Sequence, residues 1–393
     1  MEIKWLEWWV HEWGPENHAK LISNFQDANP NITVTVVDVS YPQMSQKLTA
    51  AAAAGDSSYD AFGTEGSWIP NLVKLGYVAD LSPILKGDET FAKSLTTATP
   101  WNYLGKTMGL ALYLIPFQFA YNQDIFAKKN LQPPTSWDEF VKIEQELRDK
   151  ASNSYGMSMP LKDGGFTIGR YFAFRIAQLG GQLFDSGGNV VFNSAEGVAT
   201  LDWWKKFYGM DLVVPDAMGE DQTQMLEYVA TQKVPTIIDG PFIWTKAKQM
   251  TPSIKLAYAP AWKDKTGGYA WASSGMGLSS KSTHPDQAAA FLKYLYSDSV
   301  SVTMTKIVSL PWATNAGMAS LKGSDDPILK YIPDFANQDP AHNVNALTIV
   351  PDGDTLTADF LLAFQDVLTG KKESKAALDA VTATWQKTID AAR

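Results

Sequence analysis

Four tryptophans crowd the stretch KWLEWWVHEWGPE, at Trp5, Trp8, Trp9 and Trp13, with Glu12 between the last two. Indole faces beside a carboxylate suit a ring that has apolar C–H patches on its face and hydroxyls at its edge. Related mixtures follow the next strand-like runs. After NITVTVVDV come Ser40, Tyr41 and Gln43; after YDAFGT come Thr64, Glu65 and Trp68; after VPTIID come Asp239 and Gly240. In an open parallel α/β sheet, ligands sit beyond the carboxyl ends of the strands, so these positions are the binding candidates. Arg170, ahead of a helical run and behind the Gly-rich DGGFTIG, could add an edge-on donor or serve as a surface or salt-bridging cation.

Each candidate has a plainer reading. Trp5 and Trp8 lie within the strand and read as core, whereas Trp9 and Trp13 divide between packing and ligand contact. Glu12 and Glu65 could be solvated or sit as helix-start charges. Enzymes that cleave sugars need two carboxylates about 5–5.5 or 6.5–9.5 Å apart, so a glycoside hydrolase stays open at this point. His11 and His18 are seven apart without a metal-ligand pattern, and no metal or cofactor is expected. Phosphate-loop, dinucleotide and GxSxG signatures are absent.

Composition narrows the class. The chain has 393 residues, no Cys, 4 His and a net charge of -9. Without Cys, thiolate zinc, iron–sulfur clusters and disulfides are excluded. The acidic balance argues against nucleic-acid binding, since no Lys/Arg stripe exists to neutralise phosphates. No run of about 18 apolar residues could span a bilayer. At this length two domains are expected.

The elements that must position the candidates alternate. IKWLEWW reads as a strand, GPENHAKLISNFQDANP as a helix with Pro15 in its first turn, NITVTVVDV as a β-branched strand, 42–54 as a helix ended by Gly55, and YDAFGT as a third strand. That order predicts right-handed βαβ units and a parallel sheet. Further on, SWDEFVKIEQELRDKA reads as a helix capped by Ser136 with Glu139 in a capping box, and the C-terminal part is helical, with Leu378, Val381, Trp385 and Ile389 on one face. Punctuation at Ile115-Pro116, Ala259-Pro260 and Leu310-Pro311 suggests a chain that passes between two lobes more than once.

The succession of IKWLEWW, FQDANPNITVTVV, YPQMSQKLTAAAAAGDSSYDAFGTEGSW, LGYVADLSPIL, GLALYLIPFQFAYNQDIFAKKNL with PPTSWDEF, GGQLFD, DGPFIW, GMGLSS and HPDQAAAFLKYLY resembles the solute-binding proteins of bacterial ABC sugar importers, the group that includes the maltose-binding type. The resemblance implies an α/β, two-lobed periplasmic-binding-protein fold, each lobe a parallel-rich sheet with helices on both faces, joined by crossing hinge segments. It places an N-lobe at 1–112 and 262–310, and a C-lobe at 113–261 and 311–393. It implies a carbohydrate bound between the lobes and delivered to the permease subunits of an ABC transporter by hinge closure. It further implies a monomer, no catalysis and a periplasmic location, the signal peptide having been removed ahead of Met1. By position it adds Tyr113, Trp271 and Gly275 to Trp9, Glu12, Ser40, Gln43, Glu65, Arg170 and Asp239 as ligand candidates. One departure is SLPWATNAG, where Trp312 follows the Pro at which many relatives carry a basic residue soon after. A non-sugar solute or an anionic sugar derivative is the alternative cargo.

Overall fold

The computed structural model describes residues 1–162, 167–185, 187–260, 262, 264–267, 270–326, 329 and 349–392. Most of the Gly-rich loop ahead of Arg170 lies outside the described residues. The chain divides into two units. The first comprises Met1–Leu114, Ser273–Lys322 and Ile349–Asp352; the second comprises Ile115–Ala272, Gly323–Thr348 and Gly353–Arg393. Residues 311–322 therefore belong with the first unit, where the sequence reading had put them in the other lobe. Trp312 is the reason: it bridges to Tyr113, and its indole N–H donates to the Leu295 carbonyl at 2.8 Å.

The first unit is built on β1 (Glu2–Glu7), β2 (Thr33–Asp38), β3 (Ala61–Glu65), β4 (Pro100–Tyr103), β5 (Lys106–Pro116) and β9 (Trp271–Leu278), in the order β2-β1-β3-β9-β5-β4. β1 runs parallel to β2 and β3, whereas β9 runs antiparallel to β3 and β4 runs antiparallel to β5. The run TVTVVD of β2 supplies the β-branched residues that favour a pleated strand. Helix α1 (Val10–Trp13) is followed by α2 (Pro15–Ala28), whose Pro suits the first turn and whose His18, Leu21, Ile22 and Phe25 are buried. Helix α3 (Tyr41–Ala54) stops at Gly55, which takes the left-handed conformation that glycine adopts without a Cβ penalty.

The second unit has a three-stranded sheet of β7 (Thr236–Asp239), β6 (Gln118–Asn122) and β8 (Leu256–Tyr258), in which β6 is antiparallel to both neighbours. Met157 adds single parallel bridges to Val213 and Thr236. In the helix Trp137–Leu147, the Ser136 hydroxyl accepts the Glu139 N–H at 3.2 Å. The Glu139 carboxylate reaches back one residue beyond the cap, to the Thr135 N–H at 2.8 Å and hydroxyl at 2.7 Å. The capping box is thus shifted by one position, with the same helix-start groups satisfied. The last helix, Ser374–Ala392, buries Leu378, Val381, Trp385 and Ile389, the face read from the 3.6-residue period.

Candidate functional site

β1 ends at Glu7, two residues sooner than IKWLEWW suggested, so Trp8 and Trp9 lie in the turn at its carboxyl end. Helix α1 then brings Trp13 back over Trp9, with the two indoles stacked at 5.0 Å and 7°. Trp5 stacks on His18 at 5.3 Å. All four tryptophans are buried, and Trp9 is 0% exposed. Burial therefore does not separate Trp5 and Trp8 from Trp9 and Trp13, as strand position had suggested. The physical reason is the early strand end, which turns the later pair inward instead of leaving it on the sheet edge. Glu7, also buried, ties this turn down by accepting the Trp9 N–H and by facing the His18 imidazole at 3.4 Å.

Around this turn the carboxyl ends of three strands gather a polar group and an aromatic group. Tyr113 on β5 accepts the Trp9 indole N–H at 2.9 Å. Glu65, half-buried at the end of β3, accepts the Ser274 hydroxyl at 2.6 Å across the antiparallel pairing that sets Glu65 opposite Ser274. Burial pushes the Glu65 carboxyl up to about 8, and the charge of exposed Glu12 raises it further against the lowering effect of Ser274. The Tyr113 phenol is held well above its ordinary range, first by burial and then by Glu12 and Glu65. Glu12, Glu65, Tyr113 and Ser274 thus form one electrostatically linked group. Beside it, Trp8, Tyr41 and Trp68 form a three-ring cluster with centroids 5.4, 6.0 and 6.1 Å apart, one ring from the end of each of β1, β2 and β3. Tyr41 is 40% exposed and Trp68 half-buried, so this cluster reaches solvent. Ser40 and Gln43 are exposed and bonded to each other at 2.8 Å.

Gly275, in β9, serves close packing. A Cβ there would stand 2.1 Å from the Leu110 carbonyl oxygen and 2.7 Å from the Trp101 ring. Ser274 escaped the sequence reading because its role comes from pairing across the sheet between residues more than two hundred positions apart. Trp8 escaped because its place in the run looked like strand interior.

In the second unit, two candidates face each other. Arg170, in a wide π-type helical turn at Ile168–Ala173, pairs with Asp239 at 3.1 Å, and both side chains are fully buried. The Gly240 N–H donates to Asp239 at 2.7 Å, and the Arg170 guanidinium lies 5.9 Å from the Phe117 ring. Burial pushes the Asp239 carboxyl up, with Arg170 acting against it. Nearby Glu220 is raised to about 7, mainly by burial, and accepts the Ser158 hydroxyl. Trp271 is buried at the start of β9 and belongs to the second unit. Among the described residues, no group of three or more His, Cys, Asp or Glu could hold a metal ion, and no helix is long and apolar enough to cross a membrane.

Two α/β units linked by several chain passages, with an aromatic and carboxyl-rich cluster at strand ends, define a protein of the two-lobed periplasmic-binding-protein fold. The chain belongs to the bacterial extracellular solute-binding protein family, whose model matches residues 15–301. Members of this family are substrate-binding proteins rather than enzymes. It is 27% identical over 197 residues to a probable amino-acid ABC transporter periplasmic-binding protein of Sinorhizobium fredii, a match that spans 47% of this chain and 44% of that one. It is 20% identical over 301 residues to the multiple sugar-binding protein of Streptococcus mutans, covering 70% of this chain and 67% of that one. The chain thus spans less than half the length of the first of these relatives. The fold matches, with a TM-score of 0.80, 22% identity and 99% coverage of both chains, an ABC transporter solute-binding protein of Thermotoga lettingae bound with α-D-tagatose.

Proposed function

We propose that the protein binds a carbohydrate and delivers it to the permease subunits of an ABC transporter. The observation that carries the reading is the first unit's strand-end cluster: aromatic rings of Trp8, Tyr41 and Trp68 beside the hydrogen-bonding groups Glu12, Glu65 and Ser274. Rings supply the surface on which C–H faces of a sugar pack, and carboxyls supply the groups that read its hydroxyls. The ligands named for the Thermotoga lettingae and Streptococcus mutans proteins support a sugar as the cargo class. Ligand-stabilised closure of the two units is the step a permease would read, with the protein acting as a periplasmic monomer.

Calorimetry against D-tagatose, maltotriose, erythritol and glucuronate tests the reading. Binding of at least one neutral sugar is expected, with Tyr41→Ala and Trp68→Ala each weakening it by about fivefold or more, the loss of one aromatic contact. Recovery of the sugar chemically unchanged separates a receptor from a glycoside hydrolase. Binding by none of the neutral sugars, or full affinity in both variants, would overturn the assignment.

A further inference from the structure

The second unit carries a groove of about 310 Å³ between the helix Trp137–Leu147 and the helix Ala195–Tyr208. The first helix contributes Asp138, Val141 and Lys142, and the second contributes Trp203, Lys206 and Phe207. On both helices the spacing is i, i+3, i+4, which puts each trio on one face. Each face has an apolar part, Val141 on one side and Trp203 stacked on Phe207 at 5.3 Å and 7° on the other. Each also brings a lysine, and both lysines are exposed.

The lining carries two lysines and one carboxylate, Asp138, four residues before Lys142. Asp138 acts on the guanidinium of Arg175, which lies 5.2 Å from the Trp203 ring and is itself paired with Asp264 at 2.6 Å. Lys205, next in sequence to Lys206, pairs with Glu373 at 3.6 Å. Among the described residues, neither Lys142 nor Lys206 has a carboxylate at ion-pair distance. In a chain of net charge -9, this groove therefore sets two lysines against the single lining carboxylate of Asp138, beside the indole of Trp203, with Glu139 acting on Lys142 from outside the lining.

We propose that the groove is a second ligand site, for a small aromatic carboxylate whose ring packs on Trp203 and Val141 and whose carboxylate lies between the ammonium groups of Lys142 and Lys206. The volume lies at the lower end of the range for small-molecule pockets, about 300–1,000 Å³, and suits one or two fused rings. A free phosphate would satisfy the lysines and leave the apolar floor uncovered. A neutral sugar would leave the lysine charge without a counterion. This site is independent of the sugar cluster in the first unit.

Calorimetry and 1H–15N chemical-shift mapping of the full chain with indole-3-acetate, indole-3-acetamide and acetate test the assignment. Indole-3-acetate is expected to bind and to shift amides of both helices. Its affinity should fall at least tenfold for the amide analogue, for acetate, and for the double variant Lys142→Gln/Lys206→Gln, while sugar binding stays as in the wild type. The two lysines are exposed, so circular dichroism of the double variant should match the wild type; Lys142→Glu alone gives a second reading if it does not. Absence of binding at millimolar indole-3-acetate, equal affinity for the amide, or undiminished binding by the lysine variants would overturn the proposal.

Discussion

Glu144 offers a sharp test of how burial sets the chemistry of this protein. It sits in the helix Trp137–Leu147 with no exposed surface, and its carboxyl lies 2.7 Å from the Thr236 hydroxyl oxygen. That same hydroxyl lies 2.9 Å from the Gly156 carbonyl oxygen. A hydroxyl has one proton, so Thr236 can donate to only one of the two oxygens. Both contacts are satisfied if Glu144 is protonated and donates to Thr236 while Thr236 donates to Gly156. Burial pushes the Glu144 carboxyl from 4.5 up to about 8, in agreement with that geometry. The unfolded carboxyl ionises near its ordinary value and the folded one near 8, so between them the folded state holds more protons. Stability is then highest below the unfolded value, falls as pH rises through this window, and levels off above it. Spread over about 3.5 pH units at about 1.4 kcal/mol each, the loss has a ceiling of about 5 kcal/mol. Glu144→Gln keeps an N–H donor for Thr236 and removes the ionisation. Urea unfolding at pH 5 to 9, followed by circular dichroism, should show the variant close to wild type at pH 5 and ahead of it by several kcal/mol, up to about 5, at pH 9. Glu65 and Glu220 titrate in both proteins and cancel in the difference. A variant-to-wild-type gap that stays constant with pH, or a wild type that leads at pH 9, would refute the reasoning.

Two further substitutions probe the first unit. Tyr113→Phe removes the acceptor of the Trp9 indole N–H and leaves a buried donor unpaired, for an expected loss of about 1–3 kcal/mol on urea unfolding; an unchanged midpoint would mean the bond contributes nothing. Gly275→Ala would press a methyl into the Leu110 carbonyl and the Trp101 ring, with an expected cost of about 1–3 kcal/mol or more and a lower melting temperature. If Gly275→Ala melts as the wild type does, the close approach of β9 to β5 is looser than described.

Much of the architecture was legible in the residues themselves. The β-branched run of β2, Pro15 in the first turn of α2, Gly55 at the end of α3 and the stripe Leu378, Val381, Trp385, Ile389 mark their elements through local conformational preference and periodicity. The strand-end rule also drew attention to Glu12, Tyr41, Glu65 and Trp68, because in a parallel strand the carboxyl end can be read from the sequence direction. These signals are short-range, so a sequence carries them without a fold. What the tertiary structure decided were the partnerships. Trp9 turned inward because β1 stops at Glu7, Ser274 met Glu65 through an antiparallel pairing, and Arg170 and Asp239 came to face each other in the interior of the second unit. The last two depend on which distant strand or helix is brought alongside, and the free energy of that choice comes from burial and pairing summed over a whole unit, which no local stretch of residues encodes.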